Sequence, residues 1–146
     1  MEKRKSTTGV VFFPGGNIIT WSSQKQRVVS LSSCESEYIA AATGACQGVR
    51  LSRLLADLTR SDVKKFSLFI DNKSALELCK NPVFHERTKH IDTRYHYIKD
   101  CVANGVVDVE HVRTDEQLAD ILTKPLGRVR FIELRRQLGV VRAGQD

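Results

Sequence analysis

Apolar and polar positions follow strand spacing at the start of the chain and helix spacing after it. Residues 8–13 are mostly apolar and end at a turn at 14–16. Residues 17–22 form a second short segment, so the two segments together predict a β-hairpin. Residues 24–27 predict a basic loop, and residues 28–31 predict a short extension or a third strand.

A long helix is predicted to follow. Ser32 and Glu35 have the spacing of a capping box with Ser32 as the N-cap, which gives Glu35 a structural role. Gly44 and Gly48 are weak helix formers, and their spacing lets the helix lie close to a sheet. Six apolar residues are expected to follow its buried face: Ile39, Ala42, Cys46, Val49, Leu54 and Leu58.

The second half of the chain predicts strands that alternate with helices. An apolar run at 65–70 is typical of a buried, central strand, and the alternation at 106–112 predicts a last strand. Further helices are predicted at 73–80, 91–103, 116–123 and 129–138. The order ββ(β)–α–β–α–α–β–α predicts one α/β domain at 1–139, with a mixed sheet flanked by helices, and a flexible tail at 140–146.

The composition bounds the partners and the compartment. Lys and Arg outnumber Asp and Glu by 23 to 17, which favours a polyanionic partner such as nucleic acid, although a merely basic surface explains the charge equally well. The four cysteines lack the short spacing of a zinc knuckle or redox motif, so reduced thiols and an intracellular location, cytoplasm or nucleus, are expected. No apolar run approaches a membrane span and no signal peptide is recognisable, so no membrane partner is expected.

Three acidic residues at the ends of predicted elements are candidate metal-binding carboxylates. Asp71 follows the apolar strand, where ligands gather in open α/β sheets, or it simply caps the next helix. Glu37 lies in the second turn of the long helix, as a site residue or as a solvated acid favoured by the helix dipole. Asp120 is a site residue or an exposed acid on a predicted amphipathic helix, where Asp115 is the better N-cap candidate.

Histidines supply one further candidate site. A zinc site is conceivable from His85, His90, His96 and Cys101. Their spacing matches no standard zinc motif, so structural histidines are expected instead.

Five motifs occur in one order along the chain: 32–40 (SSCESEYIA), 70–75 (IDNKSA), 81–92 (NPVFHERTKHID), 94–96 (RYH) and 117–126 (QLADILTKPL). This series closely resembles the ribonuclease H domain of Ty1/Copia-type retrotransposon polyproteins, most of all those of plant elements. The resemblance extends over residues 6–138, nearly the whole chain.

The resemblance implies a ribonuclease H-like fold and an endonuclease that cuts the RNA strand of an RNA–DNA hybrid with Mg²⁺ or Mn²⁺. By motif match, Glu37, Asp71 and Asp120 correspond to the second, third and fourth acidic positions of that family, as metal ligands and catalytic residues. Two such hard cations can activate water and stabilise the leaving oxygen. The candidate nucleic-acid contacts are Lys25, Arg27, Asn72, Arg87, Lys89 and Arg94, with solvated connectors as the alternative.

The resemblance breaks off at the start of the chain. The family's first Asp lies on the first strand, ahead of the motif seen here at residues 5–9. The sequence is therefore expected to be truncated before the first catalytic Asp, with the central first strand missing and the two-metal site incomplete. Weak or absent hydrolysis is expected, and a protein partner or self-association is expected to complete the sheet. The alternatives are a non-catalytic, co-opted regulator that binds nucleic acid or protein, and a fragment whose upstream half was lost in gene prediction.

Overall fold

The computed structural model describes residues 5–13, 20–81, 89–140 and 143–144. These residues form four strands, four α-helices and short 3-10 helices, which confirms the α/β class. The chain divides into two compact units, residues 1–29 with 118–146, and residues 30–117. In the part of the chain that the structure describes, no helix is long and apolar enough to cross a membrane.

The first unit contains the predicted hairpin. Strands β1 (Thr7–Phe12) and β2 (Thr20–Lys25) pair antiparallel, with Thr7 opposite Lys25. The predicted turn at 14–16 and the start of the predicted second segment, residues 17–19, lie outside the described residues.

The prediction of a loop at 24–27 is wrong for residues 24 and 25, because β2 continues through Lys25. The backbone N–H of Gln26 donates to the carbonyl of Ser6 at 2.8 Å, and its side-chain amide donates to Thr8 Oγ1 at 3.1 Å. These bonds fasten the end of β2 to β1. The segment at 28–31, all of which the structure describes, forms no third strand.

A 3-10 helix at Leu118–Leu122 packs on this hairpin. A Cβ added at Gly9 would lie 2.8 Å from the carbonyl oxygen of Ala119, so the close approach requires glycine. Ser23 Oγ also donates to the carbonyl of Leu122 at 2.6 Å. The α-helix predicted at 116–123 is therefore wrong, because short 3-10 turns at Thr114–Glu116 and Leu118–Leu122 replace it.

The predicted terminal basic helix is confirmed as α4 (Arg128–Gln137). Its Leu134 is fully buried, and α4 packs on the Leu118–Leu122 helix of the same unit. Most of the predicted tail at 140–146 lies outside the described residues.

The second unit is organised by α1 (Ser33–Thr59), which confirms the predicted long helix. A Cβ at Gly48 would lie 2.4 Å from Cε2 of Phe66, so the expected close approach to a strand is present there. The predicted buried face is correct at its start but wrong at its end. Leu54 and Leu58 are 53% and 72% exposed, because the core of this unit covers mainly the first half of the helix.

Strands β3 (Phe66–Ile70) and β4 (Val107–His111) pair in parallel beneath α1. Val49, Cys101 and Val107 form the buried cluster between them and the helices. The strand predicted at 65–70 is present, but the prediction that it is buried on both faces is wrong, since Phe69 is 54% exposed. Within the described residues the strands form two separate two-stranded sheets, and the predicted single mixed sheet is not formed.

Two further helices complete this unit. The helix predicted at 73–80 is confirmed as α2 (Lys73–Lys80). The helix predicted at 91–103 is shorter than expected, with a 3-10 turn at Thr93–His96 followed by α3 (Tyr97–Ala103). All four cysteines are free thiols, and those on α2 and α3 are buried, as expected.

Candidate functional site

The start of α1 separates the roles of its two glutamates. Ser32 Oγ accepts from the backbone N–H of Glu35 at 3.1 Å, which confirms the predicted N-cap. The carboxylate of Glu35 accepts from the N–H of Leu31 at 3.0 Å, one residue earlier than a standard capping box requires. Its Oε2 also lies 3.0 Å from His90 Nε2. Glu35 is therefore a structural residue.

Glu37 lies slightly further along the same helix and is partly buried. Its chain neighbour Tyr38 is fully buried, so Glu37 borders the packed face, as the sequence predicted. Burial raises the pKa of the Tyr38 phenol above its usual value, with a smaller contribution from the nearby Cys79. Tyr38 therefore stays protonated and anchors this part of the helix.

Asp71 directly follows β3, at the carboxyl end of the parallel pair. The interpretation that it caps the next helix is wrong, because Asn72 is the N-cap of α2. Asn72 Oδ1 accepts from the N–H of Ala75 at 2.9 Å. Among the described residues, none forms a hydrogen bond or an ion pair with the partly buried Asp71 side chain. Asp71 therefore presents a carboxylate at a strand end without a local structural role.

Asp120 has a different environment in the other unit. It is 8% exposed, which contradicts the interpretation as an exposed helical acid. Its Oδ2 lies 3.5 Å from both Lys124 Nζ and Arg130 Nη2. The predicted N-cap role of Asp115 is also wrong, since that carboxylate pairs with Arg113 at 2.9 Å. The sequence could have indicated Lys124 as a partner of Asp120, because it follows four residues later. No short spacing indicated Arg130.

Glu37 and Asp71 belong to one unit and Asp120 to the other. Within the described residues, no group of three or more His, Cys, Asp or Glu side chains is arranged to hold a metal ion. All three candidates are oxygen donors of the type that Mg²⁺ and Mn²⁺ prefer. The magnesium or manganese site stays a prediction.

The candidate nucleic-acid contacts differ in how firmly they are held. Lys25, Arg27 and Lys89 are exposed, and Arg87 lies outside the described residues. Asn72 uses its amide oxygen for the cap of α2, which leaves its amide N–H groups as the available donors.

Arg94 is held in place by two neighbouring side chains, those of Tyr95 and Asp92. Its guanidinium carbon lies 4.7 Å from the centre of the Tyr95 ring, and its Nη2 donates to Tyr95 Oη at 2.9 Å. Its Nε lies 3.4 Å from Asp92 Oδ2. The head group is half exposed, so it is oriented and still accessible to a phosphate.

Two histidines of the candidate zinc site, His90 and His96, have structural partners, as expected. His90 contacts Glu35, and His96 Nδ1 lies 2.6 Å from the Tyr38 hydroxyl. Cys101 is buried in the core, and His85 lies outside the described residues. The bond between Tyr38 and His96 had no signal in the sequence, because the two residues are 58 positions apart.

The chain is similar over most of its length to segments of transposon polyproteins. It is 42% identical over 137 residues, 94% of the chain, to the retrovirus-related Pol polyprotein from transposon RE2 of Arabidopsis thaliana. It is 41% identical over 138 residues, again 94% of the chain, to the corresponding polyprotein from transposon TNT 1-94 of Nicotiana tabacum. The Ty1-DR1 Gag-Pol polyprotein of Saccharomyces cerevisiae is 28% identical over 123 residues, 84% of the chain.

These relatives are much longer proteins. The chain spans 9% of the RE2 polyprotein, 10% of the TNT 1-94 polyprotein and 7% of the Ty1-DR1 polyprotein. No protein-family model matches the chain. No solved structure matches it either. The homology is therefore to one segment of retrovirus-related Pol polyproteins from plant transposons.

Proposed function

We propose that the chain is a transposon-derived, ribonuclease H-like segment whose acids serve the metal-dependent hydrolysis of RNA in RNA–DNA hybrids. The homology to Pol polyproteins over 94% of the chain supports its origin. The observation that carries the proposed chemistry is the placement of Asp71 at the carboxyl end of a parallel strand. Ligands of open α/β sheets gather at such ends, and Asn72 has taken the capping role that would otherwise explain this acid.

The proposed site acids are Glu37, Asp71 and Asp120. A bound pair of Mg²⁺ or Mn²⁺ ions would supply the activation of water and the stabilisation of the leaving oxygen. Ser32 is the N-cap of α1 and Asn72 that of α2, so neither Glu37 nor Asp71 has that role, which supports their assignment. Asp120 differs, because a cation there has to compete with Lys124 and Arg130 for its carboxylate.

We expect the 146-residue chain to hydrolyse hybrids slowly by itself. The ribonuclease H resemblance implies one further acid, the family's first Asp, on a strand ahead of the motif at residues 5–9. Removing one preorganised electrostatic element costs roughly 10²–10³ in rate. Among the described residues the strand that pairs with β3 is β4, and the carbonyl of Phe69 accepts from Gln117 Nε2 at 3.1 Å. We expect the Asp-bearing strand to add to β3 by backbone pairing.

The test is a cleavage assay with a fluorescent RNA–DNA hybrid and a titration of Mg²⁺. It compares the 146-residue chain with the same chain preceded by an Asp-bearing strand taken from a homologous polyprotein. Hydrolysis is expected to rise strongly in the extended chain and to be lost again with Asp71→Asn. Asp108→Asn is the matched control, since Asp108 is an exposed acid of β4 paired with Lys65. An extended, folded chain that cuts no hybrid would contradict the enzymatic proposal, and full turnover by the short chain would contradict the expected impairment.

A second candidate function is hybrid binding without cleavage, and the ordered guanidinium of Arg94 favours it. Phosphate contacts give affinity that falls with salt and carries little sequence choice. In fluorescence anisotropy without metal, Arg94→Ala and Lys89→Ala should each weaken binding and reduce its salt dependence. Lys65→Ala, which removes a cation already paired with Asp108, should change it little. Binding that is equally strong in all these variants would exclude this surface.

A further inference from the structure

The second half of α1 carries an uncovered row of leucines. Leu54, Leu55 and Leu58 are 53%, 36% and 72% exposed, and Leu51 is partly buried beside them. Leu51, Leu54 and Leu58 have the spacing of consecutive a, d and a positions of a heptad repeat. Gln47 occupies the preceding d position, so the row from Gln47 to Leu58 extends over about three turns of the helix.

Two opposite charges flank this leucine row on one side. Arg50 and Asp57 are one heptad apart and both take the g position next to the row. Both are exposed, and among the described residues neither side chain has a hydrogen bond or an ion pair. Opposite charges at successive g positions are self-complementary when two copies of the same helix run antiparallel.

We propose that two copies of the chain pair antiparallel through the leucine row of α1. In the matching register Leu51 of each copy packs against Leu54 of the other, and Leu58 packs against Gln47 of the other. The same register places Arg50 of each copy opposite Asp57 of the other, which gives two interchain ion pairs. A parallel pairing would instead place Arg50 against Leu55 and leave the two charges unmatched. The pairing surface lies on α1 alone, and the dimer does not depend on the proposed hydrolysis.

The ion pairs allow a test by charge exchange, with self-association measured by sedimentation over a concentration series. The 146-residue chain is expected to dimerise reversibly. Arg50→Asp places like charges at both ion pairs, and so does Asp57→Arg, so each variant alone should associate about tenfold more weakly. An equimolar mixture of the two variants should recover the dimer, because each of the two ion pairs then joins opposite charges again. A chain that carries both substitutions should also recover it for the same reason.

Leu54→Glu with Leu58→Glu should abolish the dimer, and circular dichroism verifies that the fold is intact, since both residues are exposed. The matched control is Val129→Glu on α4, an exposed apolar residue outside the proposed surface. A chain that stays monomeric at several hundred micromolar would overturn the proposal. A dimer that ignores the charge and leucine variants would overturn it as well, and would indicate association through another surface.

Discussion

The hydroxyl oxygen of Tyr38 lies 2.6 Å from Nδ1 of His96, and the two residues share a buried hydrogen bond. Tyr38 follows Glu37 on α1, and His96 ends the 3-10 helix that carries Arg94. Their rings also pack at a centroid distance of 5.5 Å. The same contact therefore positions a candidate site acid and a candidate phosphate contact of the second unit.

Removing the phenol oxygen should destabilise this unit. In Tyr38→Phe the buried His96 Nδ1 loses this partner, which is expected to lower the free energy of unfolding by about 1–3 kcal/mol. Urea unfolding followed by circular dichroism measures the change. Tyr95→Phe is the control, because its hydroxyl bond to Arg94 is exposed and should contribute much less. Equal free energies of unfolding for the two variants would show that the buried Tyr38 bond stabilises the fold no more than the exposed Tyr95 bond.

The same phenol predicts a loss of stability at alkaline pH. Burial raises the pKa of Tyr38 in the folded chain, whereas a tyrosine in the unfolded chain has a pKa of about 10. The unfolded state therefore releases its proton first, and the stabilisation is complete below about pH 10 and declines as the pH rises further. Tyr38→Phe should reduce this decline.

A smaller decline should remain in Tyr38→Phe, because burial also raises the pKa of the Cys79 thiol to about 12. Unfolding free energies measured at several pH values between neutral and strongly alkaline check both statements. A variant that loses stability with the same slope as the parent chain would rule out Tyr38 as a source of the decline.

The sequence predicted local features well because they depend on neighbouring residues. The cap at Ser32, the bounds of α2 and the terminal helix α4 follow from short-range patterns and are all confirmed. Leu54 and Leu58 were misassigned because helical periodicity shows which residues share a face but not how far the core extends beneath it.

In the candidate site, too, features set by neighbouring residues were predictable from the sequence and features set by tertiary packing were not. The sequence assigned Glu35 a structural role through the capping pattern, which is local, and that role is confirmed. Its alternative interpretation of Asp71 as the cap of α2 was wrong, because Asn72 is an equally good N-cap residue and takes that role. The burial of Asp120 between Lys124 and Arg130 depends on how α4 packs, which no short pattern encodes.

The contact between Gly48 and Phe66 should tolerate no side chain. A methyl group at position 48 would lie 2.4 and 2.5 Å from two ring carbons of Phe66, so the ring or the helix must shift. Gly48→Ala gains about 1 kcal/mol of helix propensity, but overpacking of this kind typically costs about 1–3 kcal/mol, so a net loss of stability is expected. The double variant with Phe66→Leu should recover part of that loss. A more stable Gly48→Ala chain in urea unfolding would show that the helix is not held against β3 at this position.

The two candidate acids Asp71 and Asp120 should respond differently to neutralisation. Asp71 has no partner among the described residues, so Asp71→Asn should change the free energy of unfolding by no more than about 0.5 kcal/mol. Asp120→Asn leaves Lys124 and Arg130 without their shared carboxylate and should lower the free energy of unfolding by about 1–2 kcal/mol. The loss stays small because both cations are partly exposed to solvent.

Both substitutions are expected to remove Mg²⁺-dependent cleavage in the extended chain, and the combination of the two measurements separates the roles. Loss of cleavage at unchanged stability identifies Asp71 as an acid of the site itself, since no described residue pairs with its carboxylate. For Asp120, the double variant Lys124→Ala with Arg130→Ala provides the distinction. It removes the ion pairs while keeping the carboxylate, so it should destabilise the first unit and still cleave if Asp120 acts as a metal ligand. A cleavage-dead double variant that remains folded would instead assign the effect to the ion pairs and limit Asp120 to a positioning role.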